Sequence, residues 1–182
     1  MTNSKTSQLG RPGTFFASAA PLYEYWKMLP DDKPRRALRA EQLGPLLLPH
    51  VSLLRVLGQA EDLRYDLICQ EMKMIAPRLI PGSLGSDPLQ LNPDDRGVLD
   101  LLMGAALKQS PSAHLANFKS YEGHRRSVFT LILPLGLNAQ AVSSNDLIVS
   151  VWQRPNKLEN DQEVFEDMTD AFLTYCDTHT ES

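Results

Sequence analysis

The chain has 182 residues, 42% of them apolar and 22% charged, with a formal net charge of −4 at neutral pH. That balance excludes a disordered chain, which would be poorer in apolar residues and richer in unbalanced charge, and it excludes general nucleic-acid binding, which needs a concentrated basic surface. The length suits one domain with extensions, and the two widely separated cysteines, Cys69 and Cys176, match neither a disulfide framework nor a zinc spacing, as expected of a reduced, cytoplasmic setting.

Residues 1–19 are polar, punctuated by Gly10, Pro12 and Gly13, and read as a flexible arm. They contain Lys5 but no continuous apolar stretch, so no signal peptide is expected. Nor does any apolar run approach the ~20 residues of a membrane helix, since VFTLILPLGL is short and broken by Pro134. From Pro21, the residues Leu22, Tyr25, Trp26 and Leu29 fall at i, i+3, i+4 and i+7 on one helical face, and Pro30 ends the helix. DDKPRRALR then forms a charged connector in which Lys33, Arg35, Arg36 and Arg39 lie close together. RAEQLGPLLLP predicts one or two helical turns interrupted at Gly44 and Pro45 and packed through Leu43, Leu46, Leu47 and Leu48. Pro49 biases Leu48 away from helical geometry, which releases the chain into a strand from Val51 to Leu57.

GQAED is a turn, and LRYDLIC alternates Leu63, Tyr65, Leu67 and Cys69 as the second strand of a hairpin. QEMKMIAPRLIPGS follows as short helical pieces divided by Pro77 and closed at Pro81 and Gly82. NPDDRGVLDLLMGAALKQSP is the clearest helix: Asn92 suits the N-cap, Pro93 the first turn, Asp94 and Asp95 the positive end of the dipole, and Pro111 lies beyond the end. Its apolar face comprises Val98, Leu101, Leu102 and Ala105. Three strand-like runs follow, over 113–121, 126–135 and 147–153, the first two joined by the short turn EGHR. The closing segment ENDQEVFEDMTDAFLTYCDTH reads as one amphipathic helix, with Asn160 and Glu163 as a capping box and Val164, Phe165, Met168, Phe172 and Tyr175 as its stripe. From Leu158 onward there are eight acids and no Lys or Arg.

Strands, then helices, then strands predict an α+β fold with an antiparallel sheet rather than an alternating parallel one. The expected divisions are the arm at 1–19, a domain at 20–156 that includes the N-terminal helix, and an acidic helix and tail at 157–182. Phosphate-binding loops, nucleophile elbows and metalloprotease helices have no match here, so no catalytic residue is nominated and no enzyme is expected. His50, His114, His124 and His179 are scattered, which nominates no metal site.

The element order, with the phrases LYEYW, LLLPHVSLLRV, LRYDLIC and LILPLGLN closing into LIVSVW, resembles the PAS superfamily, specifically the bacterial, alphaproteobacterial-type family of stand-alone PAS domains. The resemblance spans about Leu22 to Gln153. The chain departs from the family pattern after the second strand, where Cys69 and Gln70 replace a small residue and a hydroxyl residue, and in RAEQLGP, where only Glu41 and Pro45 match. The resemblance implies a five-stranded antiparallel sheet, and a sensory or regulatory role in signal transduction that couples a small-molecule ligand or a regulatory protein partner to the terminal helices. An adaptor with no small ligand is the alternative. In PAS-like architecture the inner face of the sheet and the short helices enclose a cavity, and apolar alternation nominates Tyr65, Leu67, Met72, Ile75, Leu101, Phe118, Phe129 and Leu131 as its lining, with plain core as their other reading. Flanking helices of such domains often pair two copies, which nominates Leu22, Tyr25, Trp26 and Leu29 as a homodimer interface. No cofactor is identified. Flavin is disfavoured because Cys69 stands in LICQEM and not in an NCRFLQ-like helix start, and haem because Pro93 to Lys108 contains no His.

Overall fold

A computed structural model describes residues 12–30, 34–58, 62–87, 96–119, 124–136, 146–155 and 164–179. The residues before Pro12, the cap residues Asn92 to Asp95, the middle of GQAED, and the Asn160 and Glu163 pair lie outside these. The order of elements is α1 (Gly13–Lys27), α2 (Pro34–Ala37), α3 (Ala40–Leu47), a 3-10 turn (Leu48–His50), β1 (Val51–Leu57), β2 (Asp62–Leu67), α4 (Gln70–Ile75), α5 (Arg96–Lys108), β3 (Ser112–Lys119), β4 (Arg125–Leu135), β5 (Asp146–Pro155), β6 (Val164–Asp167) and α6 (Thr169–His179). The fold is α+β, and its strands form one antiparallel sheet in the order β2-β1-β5-β4-β3-β6.

The five expected strands are present, and the sheet has a sixth. VFED, placed in the last helix by its helical spacing, is instead β6, paired with β3 from Asn117↔Val164 to His114↔Asp167. The helix begins only at Thr169, where the Asp167 carboxylate accepts from the Thr169 amide at 2.9 Å and from its hydroxyl at 2.6 Å. Those two bonds hold the Asp167 carboxyl below its ordinary pKa and satisfy a donor that the first helical turn would leave unpaired.

The N-terminal helix is also longer than its Pro21 start. It begins at Gly13, so Phe15 and Phe16 belong to the core and not to an arm. Pro12 suits the position just before a first turn, where no intrahelical donor is lost. Gly44 breaks α3 as expected, with φ +64° and ψ 177° ahead of Pro45, a backbone that a side chain would strain. Of the four leucines expected to pack there, Leu43 is buried and Leu47 half-buried, while Leu46 and Leu48 are exposed.

β4 and β5 form the middle of the sheet and are buried on both faces. Alternate residues therefore feed two cores. On one face Phe129, Leu131, Leu133 and Leu135 of β4, with Ile148 and Trp152 of β5, pack beneath α1 and α6. On the other, Ile132, Leu147, Val149 and Leu54 pack beneath Leu102, Ala105 and Ala106 of α5. Phe129 is the hub of the first core: its ring lies 5.9 Å from Phe15, 5.5 Å from Phe16, 5.7 Å from Phe172 and 6.1 Å from Trp152. Trp26 anchors the end of α1 by donating its indole N–H to the Pro134 carbonyl at 2.7 Å, beyond the last pair between β3 and β4, Ser112↔Ile132.

Truncating Phe172, which touches Phe16, Tyr23 and Phe129, opens a cavity in this core. Phe172→Ala is expected to lower the urea unfolding free energy by about 3–5 kcal/mol. Trp26→Phe, which removes one hydrogen bond, is expected to cost about 1 kcal/mol. Leu46→Ala serves as the exposed control, and a loss at Leu46 as large as that at Phe172 would contradict this packing.

Candidate functional site

The eight nominated lining residues divide between the two faces. Tyr65, Met72 and Leu101 meet in the core beneath α5. Phe129 and Leu131 sit in the opposite core beneath α1 and α6, fully buried. Register requires this: Leu131 pairs with Ser150 and Phe129 with Trp152, whereas Ile132 pairs with Val149, and adjacent residues of a strand point to opposite faces. Ile75 is half-buried at the end of α4, and the side chain of Phe118 lies outside the described residues.

Leu67 is 47% exposed, although alternation places it on the face of Tyr65. A β-bulge separates them: Leu54 pairs with Tyr65 but Leu53 pairs with Leu67, so Asp66 is the extra residue. One inserted residue reverses the facing of everything beyond it. Leu67 thus lies opposite Leu53, which packs into the terminal-helix core. Asp66 is held at the bulge by Arg55 at 3.1 Å and Arg64 at 2.8 Å.

The four residues nominated as a dimer interface are largely used within the chain. Leu22 is fully buried, and Tyr25, Trp26 and Leu29 pack partly against the same core. The Tyr25 hydroxyl donates to Gln42 Oε1 at 3.0 Å and accepts from the Arg39 amide at 3.1 Å, tying α1 to the connector and α3. The stripe therefore needs no second copy to cover it.

Cys69 is buried at the start of α4, where its sulfur accepts from the Met72 amide at 3.3 Å and its own amide donates to Ser52 Oγ at 3.0 Å. It is a cap that joins β1 to α4. Cys176 is buried in the other core, and burial pushes its thiol up to about 11, so it is protonated at neutral pH and a poor nucleophile. Among the described residues no group of three or more His, Cys, Asp or Glu is placed to hold a metal ion.

The histidines take separate roles. His50 stacks on Trp152 at 5.1 Å, and its Nδ1 donates to the Val151 carbonyl at 2.8 Å. His124 is exposed ahead of β4, and His179 stacks on Tyr175 at 4.1 Å near the end of α6. His114 on β3 is the unusual one. It is only 5% exposed, and neither ring nitrogen has a hydrogen-bond partner among the described residues. Its register partner is Thr130, next to Leu131 but on the face of Ile132, and the Phe165 ring of β6 covers it at 5.2 Å. A buried polar ring without partners is costly. Spacing alone marked His114 as a strand residue but could not show that β6 would close over it.

The structure therefore gives two separate candidates on the α5 face of the sheet: Tyr65, Met72 and Leu101 toward β2, and His114 toward β6, with β1, β5 and β4 between them. The first supplies apolar contact and the second one unpaired imidazole. Neither assembles a nucleophile and base pair among the described residues. Compared with known proteins, the chain matches no family model and no curated protein.

Burial holds the His114 pKa below the ordinary histidine value, with Asp167 opposing that shift and Lys108 adding to it. The folded chain thus binds the proton less readily than the unfolded one. The stability this represents is present above the unfolded-state value and is lost as pH falls below it. Between about pH 7.5 and about pH 5 the melting temperature is expected to fall, and less so in His114→Phe. Equal slopes in the two proteins would mean that His114 does not titrate as its burial requires.

Proposed function

We propose that the protein is a PAS-like regulatory domain of the bacterial type its sequence resembles, acting in the cytoplasm to couple binding of a small molecule or a protein partner to signalling through its terminal helices. It has no catalytic residue in this reading. The observation that carries it is the double use of β4 and β5. The same strands present alternate residues to α5 on one face and to α1 and α6 on the other, so an event that shifts the α5 face moves the wall against which the terminal helices pack. Close-packed layers transmit such shifts because they have few voids to absorb them. The antiparallel sheet and the helices before and after it also agree with the architecture that the resemblance implies.

A ligand on the α5 face near β2 would meet Tyr65, Met72 and Leu101, whereas His114 on β3 lies three intervening strands away and would not touch it. Phe129 and Leu131 would not touch it. That division favours, as the second reading, an adaptor that binds protein partners and no small molecule. A homodimer belongs to the first reading only through the outward side of α1, where Ala17, Pro21 and Met28 are exposed, because Leu22 is enclosed.

Native mass spectrometry of the protein purified from its own cells separates the two. A small molecule recurring in stoichiometric amount supports the sensor, and its loss in Met72→Trp, which fills the α5 face, places it there. A protein partner without a small molecule supports the adaptor, and the bare chain in every preparation would overturn both.

A further inference from the structure

The two edges of the sheet are finished in different ways. At β2 the outward main-chain groups are taken by a return of the same chain: the Tyr65 amide donates to the Ser83 carbonyl at 2.9 Å, the Gly82 amide to the Tyr65 carbonyl at 2.6 Å, and the Gly85 amide to the Leu63 carbonyl at 2.7 Å. Gly82, at φ +94°, permits that return. At β6 no described segment plays this part. The Met168 amide donates to the Ala113 carbonyl at 2.8 Å, which marks that position as a hydrogen-bonded pair. Alternation along an antiparallel ladder then turns Glu166 and Val164 toward β3 and leaves the N–H and C=O of Phe165 and Asp167 facing outward.

Beside these groups stands a large aromatic surface. Phe165 is 59% exposed, and its ring is held in place by the stack on His114. The strand and the helix after it are acidic, with Glu166 and Asp167 on the strand, Asp170 in the first turn of α6, and no Lys or Arg from Leu158 to Ser182; Lys108 at the end of α5 is a cation whose charge reaches Asp167. We propose that the β6 edge docks an extended, basic segment of a protein partner, which adds to the sheet as a further strand. Main-chain bonds to Phe165 and Asp167 give such an addition its register, and Lys or Arg at alternate positions meets the acids. A second copy of this chain pairing through the same edge would set acid against acid, which is unfavourable across strands. The inference goes beyond the regulatory reading above and is independent of whether the α5 face holds a small molecule.

The test titrates the full-length protein with two blocked synthetic peptides, one alternating Lys and Val, the other alternating Glu and Val, and follows backbone amide shifts by NMR. The Lys peptide is expected to bind, to perturb the Phe165 and Asp167 amides first, and to weaken as salt screens the charges. Phe165→Ala keeps the outward N–H and loses the ring, so binding should weaken about tenfold. Phe165→Pro also removes that N–H without breaking a bond to β3, and binding should be lost. Because Phe165→Pro could fail to fold, the double variant Glu166→Lys with Asp170→Lys provides an independent arm, in which preference should move to the Glu peptide. Equal binding of both peptides, no binding up to millimolar concentration, shifts centred away from β6, or self-association through this edge would each overturn the proposal.

Discussion

Everything in the molecule is hung on the ladder between β4 and β5, which runs unbroken from Arg126↔Pro155 to Leu135↔Asp146. With both strands buried on both faces, a shift of one residue in their register would exchange the two cores, placing Phe129 beneath α5 and Ile132 beneath α1 and α6. The cost of such an exchange is steric as well as hydrophobic. On the α5 face Ala105 and Ala106 pack on the sheet beside Leu102, whereas the opposite face accommodates four aromatic rings around Phe129 and Phe172. Side-chain size therefore fixes the register that the main chain alone would leave free.

The same burial explains why the sequence revealed the strands better than their faces. VFTLILPL carries apolar residues on consecutive positions, which marks a buried strand but offers no alternation from which to read a side. Nominating Phe129 and Leu131 beside Tyr65 required exactly the information that such a run lacks. At β2 the alternation was present, and the inserted Asp66 broke it. A bulge held by two arginines from neighbouring positions is a tertiary event, and nothing in the order Leu63, Arg64, Tyr65, Asp66, Leu67 announces it.

Elsewhere the chain was legible where local chemistry and long-range pairing agreed. The strand Val51–Leu57 falls where expected, although Leu48 before Pro49 keeps helical angles (φ −51°, ψ −41°), so the chain becomes extended only after His50. The break at Gly44 and Pro45 was equally plain. The two ends were misread for opposite reasons. Pro12 and Gly13 looked like breakers, yet both are tolerated at a helix start, and the buried Phe15 and Phe16 reward extending α1 back to them. In VFEDM the spacing of Val164, Phe165 and Met168 favours a helix, but pairing with β3 wins because it closes an edge and covers His114. Local propensity is a weak prior against that combination.

The strand and helix at the C-terminal end then act as one part. Between them the chain is pinned to the start of β3 by the Met168 amide on the Ala113 carbonyl, by the Ala113 amide on Thr169 Oγ1, and by Asp167 on Thr169. This junction sits where the chain passes from the edge of the sheet onto the terminal-helix face. β6 contacts His114, whose register places it on the α5 face, and α6 contacts Phe129 and Phe16 on the other. One main-chain bond and the side chains of Thr169 and Asp167 thus anchor the end of β6 and the start of α6 to the same residue of β3, Ala113.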